Sequence, residues 1–391
     1  MKPVLIAASD GISRGEKAKA RAEFNNTVHG GRGLFAGIVF LFHVVNSGLP
    51  TLPFLALPAV SFLLRCSEYG VELFFCISGY VIAGTLRRSR SPLSFLADRA
   101  IRIFPALWAT VLAIVLAGHF TGTRGFADLS SASLAWLLPA NMLALPGILP
   151  FPLFHPAAWS LSYELAFYLA CALGWSLRDR LGKPVLWVLV PLGVVGLGFY
   201  PRGLFFLCGV LAAEGLGKRR QLAALIRHPG WFLLAFLLLW QTIQVLTLPH
   251  HIIDTTLYEW MLDERFPVAL LAFAAATIGF AGLVEGQGLL GRFLRLPPLQ
   301  FMGTISYSFY LWHPIIMSGI KAAMVRFGLV DFVGLYAQLT FFALALPPAL
   351  LISMASQRIL ERNVGLWLRR RMHHSAPLQT AAIAAQAGPV A

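Results

Sequence analysis

The sequence predicts an all-α integral membrane protein, a polytopic bundle of about ten transmembrane helices. Three observations predict it. The chain of 391 residues is 58% apolar and only 12% charged, whereas soluble domains average roughly 45–50% apolar and 25% charged residues. Its apolar residues form runs long enough to span a membrane, although several are short or interrupted. Its positive charge is distributed very unevenly between the segments that connect those runs.

Hydropathy assigns ten candidate spans. They lie near residues 33–49, 69–86, 103–120, 156–176, 184–200, 202–217, 230–248, 267–285, 299–319 and 332–354. With the N-terminus inside, the predicted inner segments contain 25 of the 31 Lys and Arg residues and the outer segments contain six. This is the positive-inside pattern. The formal net charge of +14 therefore reports topology, and no nucleic-acid partner is needed to explain it.

The chain divides into three predicted parts. Residues 1–28 are mostly polar and are predicted to form a disordered cytoplasmic leader. Residues 29–356 contain the spans. Residues 357–391 begin with a basic amphipathic stretch suited to the inner headgroup surface and end in a cytoplasmic tail predicted to be disordered. The longest outer segment, about 121–155, contains several prolines and is interpreted as a re-entrant or capping loop.

Arg32 and His43 are ionisable residues on the first apolar run. A polar side chain in hydrocarbon costs a few kcal/mol or more, so one that persists usually faces a cavity or a partner. On a helix, the step between them turns roughly 1100° and rises roughly 16 Å. We therefore expect both on one face, with Arg32 at the inner surface and His43 about halfway across.

Other polar residues in the spans are also candidates for chemistry. Arg99 and Arg102, at i and i+3, either clamp a phosphate or simply anchor the inner end of the third span. Glu72 lies near the outer end of the second span, where it is either functional or interfacial. Glu164 lies about two turns inside the fourth span, where a carboxylate must be protonated or paired, and a histidine in another span is the obvious partner.

The segment 303–314 places Ser306, Tyr310 and His313 on one helical stripe. It is interpreted either as part of a binding site or as an aromatic belt with an interfacial histidine. No set of residues has the three or four well-placed donors that a metal site needs, so no metal is predicted.

Several ordered motifs together resemble the acyltransferase 3 family of integral-membrane O-acyltransferases. The motifs are Arg32 with His43; Gly70-Val-Glu-Leu-Phe-Phe-Cys-Ile-Ser78-Gly79-Tyr80; Arg99-Ala-Ile-Arg102-Ile-Phe-Pro105; Trp159-Ser-Leu-Ser-Tyr-Glu164; Ile305-Ser-Tyr-Ser-Phe-Tyr-Leu-Trp-His313-Pro314; and Leu360-Glu361-Arg362. The resemblance covers about residues 30–365 and is strongest to the branch that acetylates exopolysaccharides and O-antigens. Gly30-Gly31 stand where members often have an acidic residue, and Asn363 replaces a common proline.

The resemblance implies a bacterial inner-membrane enzyme. Its donor co-substrate is an acyl-CoA on the cytoplasmic side, expected to be acetyl-CoA, and no cofactor is permanently bound. Its acceptor is a hydroxyl of a sugar or glycan, such as an exopolysaccharide or O-antigen. Membrane lipid and polysaccharide-assembly machinery are the expected partners, and the oligomeric state is open.

The resemblance also implies roles for the candidate residues. Arg99 and Arg102 hold the anionic part of CoA, and Arg32 holds its phosphates or polarises the thioester. His43 is the general base or a transient acyl carrier, oriented by Glu164 or by Glu72. The remaining candidates form the acceptor site: Glu72, Trp159, Tyr163, Ser306, Tyr310, Trp312 and His313.

Two alternatives to an acyltransferase stay open. In a secondary transporter, Arg32, His43, Glu72 and Glu164 would form an ion or proton relay. In an inactive scaffold or flippase partner, the chain would bind a lipid-linked sugar without consuming an acyl donor.

Overall fold

The computed structural model of the protein describes residues 25–121, 129–246 and 266–372, and these residues form helices and no strand. In chain order the α-helices are α1 (Asn26–Val45), α2 (Pro58–Arg65), α3 (Gly70–Arg88), α4 (Pro92–Thr121), α5 (Ser131–Met142), α6 (Trp159–Leu181), α7 (Leu186–Phe199), α8 (Leu204–Ala213), α9 (Pro229–Leu246), α10 (Phe266–Val284), α11 (Gly288–Leu294), α12 (Pro297–Arg326), α13 (Leu329–Val333) and α14 (Ala337–Ser356). The end of the bundle at which α1 begins is the predicted inner end, and the end at which α1 finishes is the predicted outer end.

Five helical stretches are long and apolar enough to cross a membrane, judged by length and composition. They are Asn26–Val45, Pro58–Arg88, Pro92–His119, Phe266–Val284 and Leu329–Met372. Each of the ten predicted spans overlaps one described helix, but several of these helices are shorter or less apolar. The prediction of an all-α membrane bundle is confirmed, whereas the number of about ten spans stays a prediction.

Helix α7 displays the apolar surface that such a bundle presents to lipid. None of its residues is buried, and Trp187, Val188 and Leu192 are 83%, 66% and 64% exposed. Contiguous apolar surface of this kind is rare on soluble monomers. The exposed side chains of α7 therefore suit a hydrocarbon environment.

Helix α1 begins at Asn26, seven residues before the predicted start of the first span. The Asn25 side chain caps it by accepting hydrogen bonds from the backbone N–H groups of Thr27 and Val28, each at 3.0 Å. Because of the earlier start, Arg32 lies nearly two turns inside the helix and His43 lies in its last turn. The helix therefore extends beyond the predicted span at its inner end, and the depths of Arg32 at the inner surface and His43 about halfway across the membrane stay predictions.

Helices α1 and α12 pack in parallel with their backbones in close contact. Gly33 faces the backbone of Leu299 and Gly303, and Gly303 in turn faces the carbonyl of His29. A Cβ atom at either glycine would overlap those backbone atoms, so any larger residue would force the helices apart. The ring nitrogen Nε2 of His29 lies 3.1 Å from the carbonyl oxygen of Gln300 and joins the pair at the same level.

A second close contact joins α3 to α8. Gly79 lies against the backbone of Phe206, and Gly209 lies against the carbonyl of Cys76, so neither position has room for a Cβ atom. Arg202 is in the turn that leads into α8. The glycine contact therefore brings this arginine alongside the outer end of α3.

The outer segment 129–158 consists of α5 and an irregular stretch that is tied to the bundle. Buried Asn141 donates to the carbonyl of Pro152 at 3.0 Å and accepts from the N–H of Phe154 at 2.8 Å. The Ser162 hydroxyl donates to the carbonyl of Pro146. The predicted re-entrant or capping loop thus contains a twelve-residue helix, and its residues 122–128 lie outside the described part of the chain.

Helix α14 continues without a break through a π-helical segment, Gln357–Val364, and on to Met372. Leu360 packs against the core, and the Glu361 carboxylate accepts a hydrogen bond of 2.6 Å from Ser308 of α12. The predicted domain boundary after residue 356 therefore does not coincide with a helix end. Likewise, residues 25–28 of the predicted leader form the cap and first turn of α1, while residues 1–24 and 373–391 lie outside the described residues.

Candidate active site

A cavity lies among α1, α3, α4, α6 and α12, and we name it the arginine cavity. Its polar lining residues are Arg32, Ser78, Arg99, Arg102, Ser160, Glu164, Tyr168, Ser306, Tyr307 and Tyr310. The space among the lining atoms is about 730 Å³, including the part open at its mouth. Polar side chains from five helices converge on this space, as they do in ligand-binding sites.

Three guanidinium groups face the arginine cavity, Arg32 from α1 and Arg99 and Arg102 from α4. Within the described residues, none of the three has a hydrogen bond or an ion pair, and Nε of Arg99 is buried without a partner. Partly buried cations without a directly bonded partner are costly, and the planar guanidinium fork fits phosphate and carboxylate oxygens. The arrangement therefore suits an anionic ligand.

Helix α4 is attached to α12 beside these arginines. The Tyr307 hydroxyl donates to the carbonyl of Ile103 at 2.8 Å, and Ile103 directly follows Arg102 in the sequence. Pro105 lies within the same helix and has no backbone N–H to donate. The tyrosine thus fixes the position of the arginine pair relative to Ser306.

Glu164 is the carboxylate of the arginine cavity. It accepts a hydrogen bond of 2.8 Å from the Ser78 hydroxyl and another from the Tyr168 hydroxyl, which lies one turn along α6. Its partners are thus two hydroxyl groups and not the histidine that the sequence led us to expect. Tyr168 was missed by the sequence reasoning, although its i+4 spacing from Glu164 was a usable signal.

Glu72 forms a buried ion pair at the outer end of the bundle. Nε of Arg202 donates to Oε1 of Glu72 at 2.6 Å, and Nη2 of the arginine contacts the same oxygen. The side chain of Glu72 is 0% exposed and that of Arg202 is 3% exposed. The guanidinium carbon also lies 4.5 Å from the ring centre of Trp159, a cation–π contact. We name these three residues the outer ion-pair cluster.

The predicted acceptor residues therefore divide between different places. Ser306 and Tyr310 line the arginine cavity, whereas Glu72 and Trp159 belong to the outer ion-pair cluster. Tyr163 is buried and stacks on Phe75 with ring centres 5.7 Å apart, outside the lining of the arginine cavity.

His43 and His313 lie beside each other beyond the arginine cavity, towards the outer end. Their ring centres are 5.1 Å apart. His313 is fully buried, and its ring centre is 6.1 Å from that of Tyr310. The Tyr310 hydroxyl is hydrogen-bonded to Ser160 at 2.7 Å. Tyr310 therefore lines the arginine cavity and also adjoins His313, whereas His43 does not line the cavity.

His155 is a third buried histidine near the pair, and the sequence reasoning did not single it out. Its Nε2 atom lies 2.8 Å from the carbonyl oxygen of Leu311, and its Nδ1 accepts the N–H of Ala157 at 3.1 Å. Because both ring nitrogens have backbone partners, this histidine serves the packing of α12. In the described part of the chain, no group of three or more His, Cys, Asp or Glu side chains is arranged to hold a metal ion.

Trp312 and Glu361 are two further polar residues near the site. Trp312 is next to His313, and its buried Nε1 atom has no hydrogen-bond partner. Glu361, which accepts from Ser308, interacts electrostatically with Arg32. Glu361 was absent from the candidate residues, although the Leu360-Glu361-Arg362 motif contained it.

A second and wider cavity, the inner vestibule, opens at the predicted inner end. It shares Arg32 and Val81 with the arginine cavity, and its lining also includes Arg87, Arg88 and Arg295. Its space is about 1,590 Å³, including open solvent. The two cavities thus adjoin at Arg32, which places the inner vestibule next to the three guanidinium groups.

The helices and cavities define a polytopic helical membrane protein with a cation-lined interior site. The chain belongs to the acyltransferase 3 family, because the family model, described as an acyltransferase domain, matches residues 25–358. The resemblance seen in the motifs is confirmed.

Three relatives share parts of the sequence. The exopolysaccharide production protein ExoZ of Rhizobium meliloti (strain 1021) is 31% identical over 322 residues, which cover 75% of this chain and 88% of that protein. Nodulation protein 10 of Rhizobium leguminosarum bv. viciae is 28% identical over 285 residues, or 66% and 74% of the two chains. The acyltransferase MdmB of Streptomyces mycarofaciens is 31% identical over 121 residues, or 30% of each chain. No solved structure matches.

Proposed function

We propose that the protein is a membrane-embedded O-acyltransferase that moves an acyl group, expected to be acetyl, from acyl-CoA to a hydroxyl of a sugar or glycan. The observation that carries the proposal is the set of three guanidinium groups that face one cavity without an internal partner. Membership of an acyltransferase family supports the reaction class.

The donor enters through the inner vestibule in this proposal. CoA is a polyanion. The vestibule through which CoA approaches Arg32 is lined by Arg87, Arg88 and Arg295. Farther in, Arg99 and Arg102 hold the anionic part of the donor by charge-assisted hydrogen bonds. The positive-inside distribution of Lys and Arg supports a cytoplasmic vestibule, with both termini cytoplasmic and the protein in a bacterial inner membrane.

The reacting end of the donor extends towards the outer end of the bundle. Arg32 and His43 are on the same helix, and the step between them rises roughly 16 Å, a distance suited to an extended thioester arm. The arm passes Tyr310, which lines the arginine cavity and adjoins His313. His43 then removes the proton of the acceptor hydroxyl or carries the acyl group transiently.

The acceptor approaches His43 from the outer end, where His43 is partly exposed. The name of one relative refers to exopolysaccharide production, which supports a glycan acceptor. Trp312, next to His313, provides an aromatic ring on which a sugar face can pack. Glu72 and Trp159 are less suitable for binding the acceptor, because they are bonded to Arg202.

The decisive experiment measures the release of free CoA thiol and of labelled acetyl product from labelled acetyl-CoA, with purified protein in detergent and a glycan acceptor. We expect transfer by the unaltered protein and a loss of roughly 10²-fold or more in His43→Ala, because general-base catalysis contributes 10²–10⁴-fold. A transporter that uses Arg32, His43, Glu72 and Glu164 would cleave no acetyl-CoA in detergent, where no gradient exists.

Phe42→Leu is the matched control for His43→Ala. It alters the neighbouring ring, whose centre is 5.2 Å from that of His43, without removing an ionisable group. Turnover by His43→Ala equal to that of Phe42→Leu would rule out a catalytic role for His43.

A further inference from the structure

His313 presents a buried ring nitrogen that has no hydrogen-bond partner among the described residues. Its Nδ1 atom lies 2.8 Å from the carbonyl oxygen of Phe309. A carbonyl can only accept, so Nδ1 carries the hydrogen and the neutral ring has a lone pair on Nε2. That Nε2 atom is inaccessible and has no hydrogen-bond partner. A buried acceptor left unsatisfied reduces stability, so the position of this nitrogen calls for a functional explanation.

Among the rings packed around His313, that of His43 is best able to use the lone pair. The Tyr310 hydroxyl is engaged by Ser160 and by the carbonyl of Ala157. His155 has backbone partners at both ring nitrogens. The remaining polar ring beside His313 is that of His43, which has no hydrogen bond within the described residues.

The geometry allows a direct hydrogen bond between the two rings. Because ring nitrogens lie about 1.1 Å from the centre of an imidazole, rings 5.1 Å apart can bring two facing nitrogens to about 2.9 Å, the length of a hydrogen bond. Phe309 stacks on His313 at an interplanar angle of 15°, and Phe40 meets it edge-on. The two phenylalanines pack against the ring of His313, and the proposed hydrogen bond forms by rotation of the partly exposed His43 side chain towards it.

We propose that His313 is the positioning residue of His43, with its Nε2 lone pair accepting a hydrogen bond from a ring N–H of His43. The inference rests on the proposed function. It assigns to a neutral histidine the role that the family resemblance implied for Glu164 or Glu72, both of which have other partners.

In the proposed acyl transfer, His43 carries the proton and the protonation of His313 does not change. The acceptor oxygen attacks the thioester carbonyl while its proton passes to the free nitrogen of His43. The C–S bond breaks, CoA leaves as the thiolate, and the proton moves from His43 to the sulfur. The N–H of His43 that faces His313 keeps its hydrogen throughout, so the free nitrogen always points at the acceptor.

A double-mutant cycle on turnover tests the proposal. The variants are His43→Gln, His313→Phe and their combination, assayed for acetyl transfer. We expect His313→Phe to lower kcat roughly ten-fold or more with an unchanged KM for acetyl-CoA, because the arginine cavity is intact. We also expect His43→Gln to be slowed no further by adding His313→Phe, since residues that act as a unit are non-additive. His313→Gln, which keeps an acceptor oxygen, should recover part of the loss.

Phe40→Leu is the packing control, because it touches the same ring and removes no nitrogen. Its effect should multiply with that of His43→Gln, as expected for independent contributions. If the effect of His313→Phe also multiplies with that of His43→Gln, or if it lowers kcat no more than Phe40→Leu, the positioning role is excluded.

A measurement independent of turnover separates this inference from the proposed function. Diethyl pyrocarbonate modifies imidazole nitrogens that carry an accessible lone pair, and mass spectrometry reports the rate at His43. We expect His313→Phe, but not Phe40→Leu, to change that rate several-fold, because the tautomer of His43 is no longer fixed. An altered modification rate in a protein that transfers no acetyl group would refute the proposed acyltransferase function but support the hydrogen bond between His43 and His313. An unaltered rate in an active enzyme would refute the pair alone.

Discussion

Arginine and glutamate meet inside this bundle at two places that are built in opposite ways. In the outer ion-pair cluster, Arg202 and Glu72 are bonded to each other and are almost inaccessible. In the arginine cavity, Arg99 has no internal partner, and Glu164 is satisfied by two hydroxyl groups. Buried charges that satisfy each other contribute to one folded arrangement, whereas unpaired charges beside a cavity are available to a ligand. The contrast separates residues of the fold from candidate residues of the reaction.

The largest expected effect concerns the paired site. Glu72→Ala leaves Arg202 as an uncompensated buried charge, and breaking such a pair costs about 3–5 kcal/mol. We expect a loss of this size in the free energy of unfolding, measured by titration with SDS in mixed micelles and followed by helix content. Glu72→Leu combined with Arg202→Leu should recover most of it, because no charge is then left unpaired. Equal destabilisation by the double variant would show that the charges are not the source.

The unpaired site should respond in the opposite sense. Arg99→Gln with Arg102→Gln removes at least two charge-assisted hydrogen bonds to a bound anion, each about 1.5–3 kcal/mol, so CoA affinity should fall roughly 10²–10⁴-fold. The free energy of unfolding without ligand should stay the same or rise. Equilibrium binding of labelled CoA and the SDS titration measure the two quantities. Unchanged CoA affinity would show that Arg99 and Arg102 do not bind CoA and would favour the alternative that they anchor the inner end of the third span.

A smaller effect is expected at Trp159, which the sequence assigned to the acceptor and which contacts Arg202 in the structure. Trp159→Leu should lower the free energy of unfolding by about 2 kcal/mol, the value of a desolvated cation–π contact. The KM for the acceptor should stay within about two-fold of the starting value, since this residue lies outside the arginine cavity. A raised KM with intact stability would place the acceptor at this ring after all.

The smallest effect is expected at Tyr168. Tyr168→Phe removes one of the two hydrogen bonds to Glu164, while the bond from Ser78 remains. A single hydrogen bond contributes about 1 kcal/mol, and a loss of this size is expected in the same SDS titration. Ser78→Ala is the matched comparison. An effect above that of Trp159→Leu would mean that Glu164 is held as tightly as the outer pair.

Sequence reasoning predicted what depends on local pattern. Hydropathy located the helices because a membrane span must be continuous and apolar. The i, i+3 spacing predicted that Arg99 and Arg102 project together, and the structure adds Arg32 to them in one cavity. The start of α1 was misplaced because polar residues such as Thr27 suggested solvent. In the structure the Thr27 hydroxyl donates to the carbonyl of Leu283 at 2.7 Å, and hydropathy cannot distinguish the two environments.

The partners that sequence reasoning missed are distant in the chain. Arg202 reaches Glu72 across 130 positions, and Glu361 reaches Ser308 across 53. Such pairings depend on which helices become neighbours, here through glycine contacts between backbones. Neither periodicity nor spacing within one segment carries that information, so Arg202 was interpreted as an ordinary outer charge and the end of the helical chain as a tail.

The backbone contact between α1 and α12 bears on the distance between Arg32 and His43. With no side chain between the helices at Gly33 and Gly303, neither helix can slide along the other, and the rise of roughly 16 Å between Arg32 and His43 is set by helical geometry. Helix α1 thus holds Arg32 and His43 at a fixed separation along its axis. In the proposed reaction, a donor whose reactive carbon lies much nearer to its phosphates, or much farther away, cannot reach Arg32 and His43 at once.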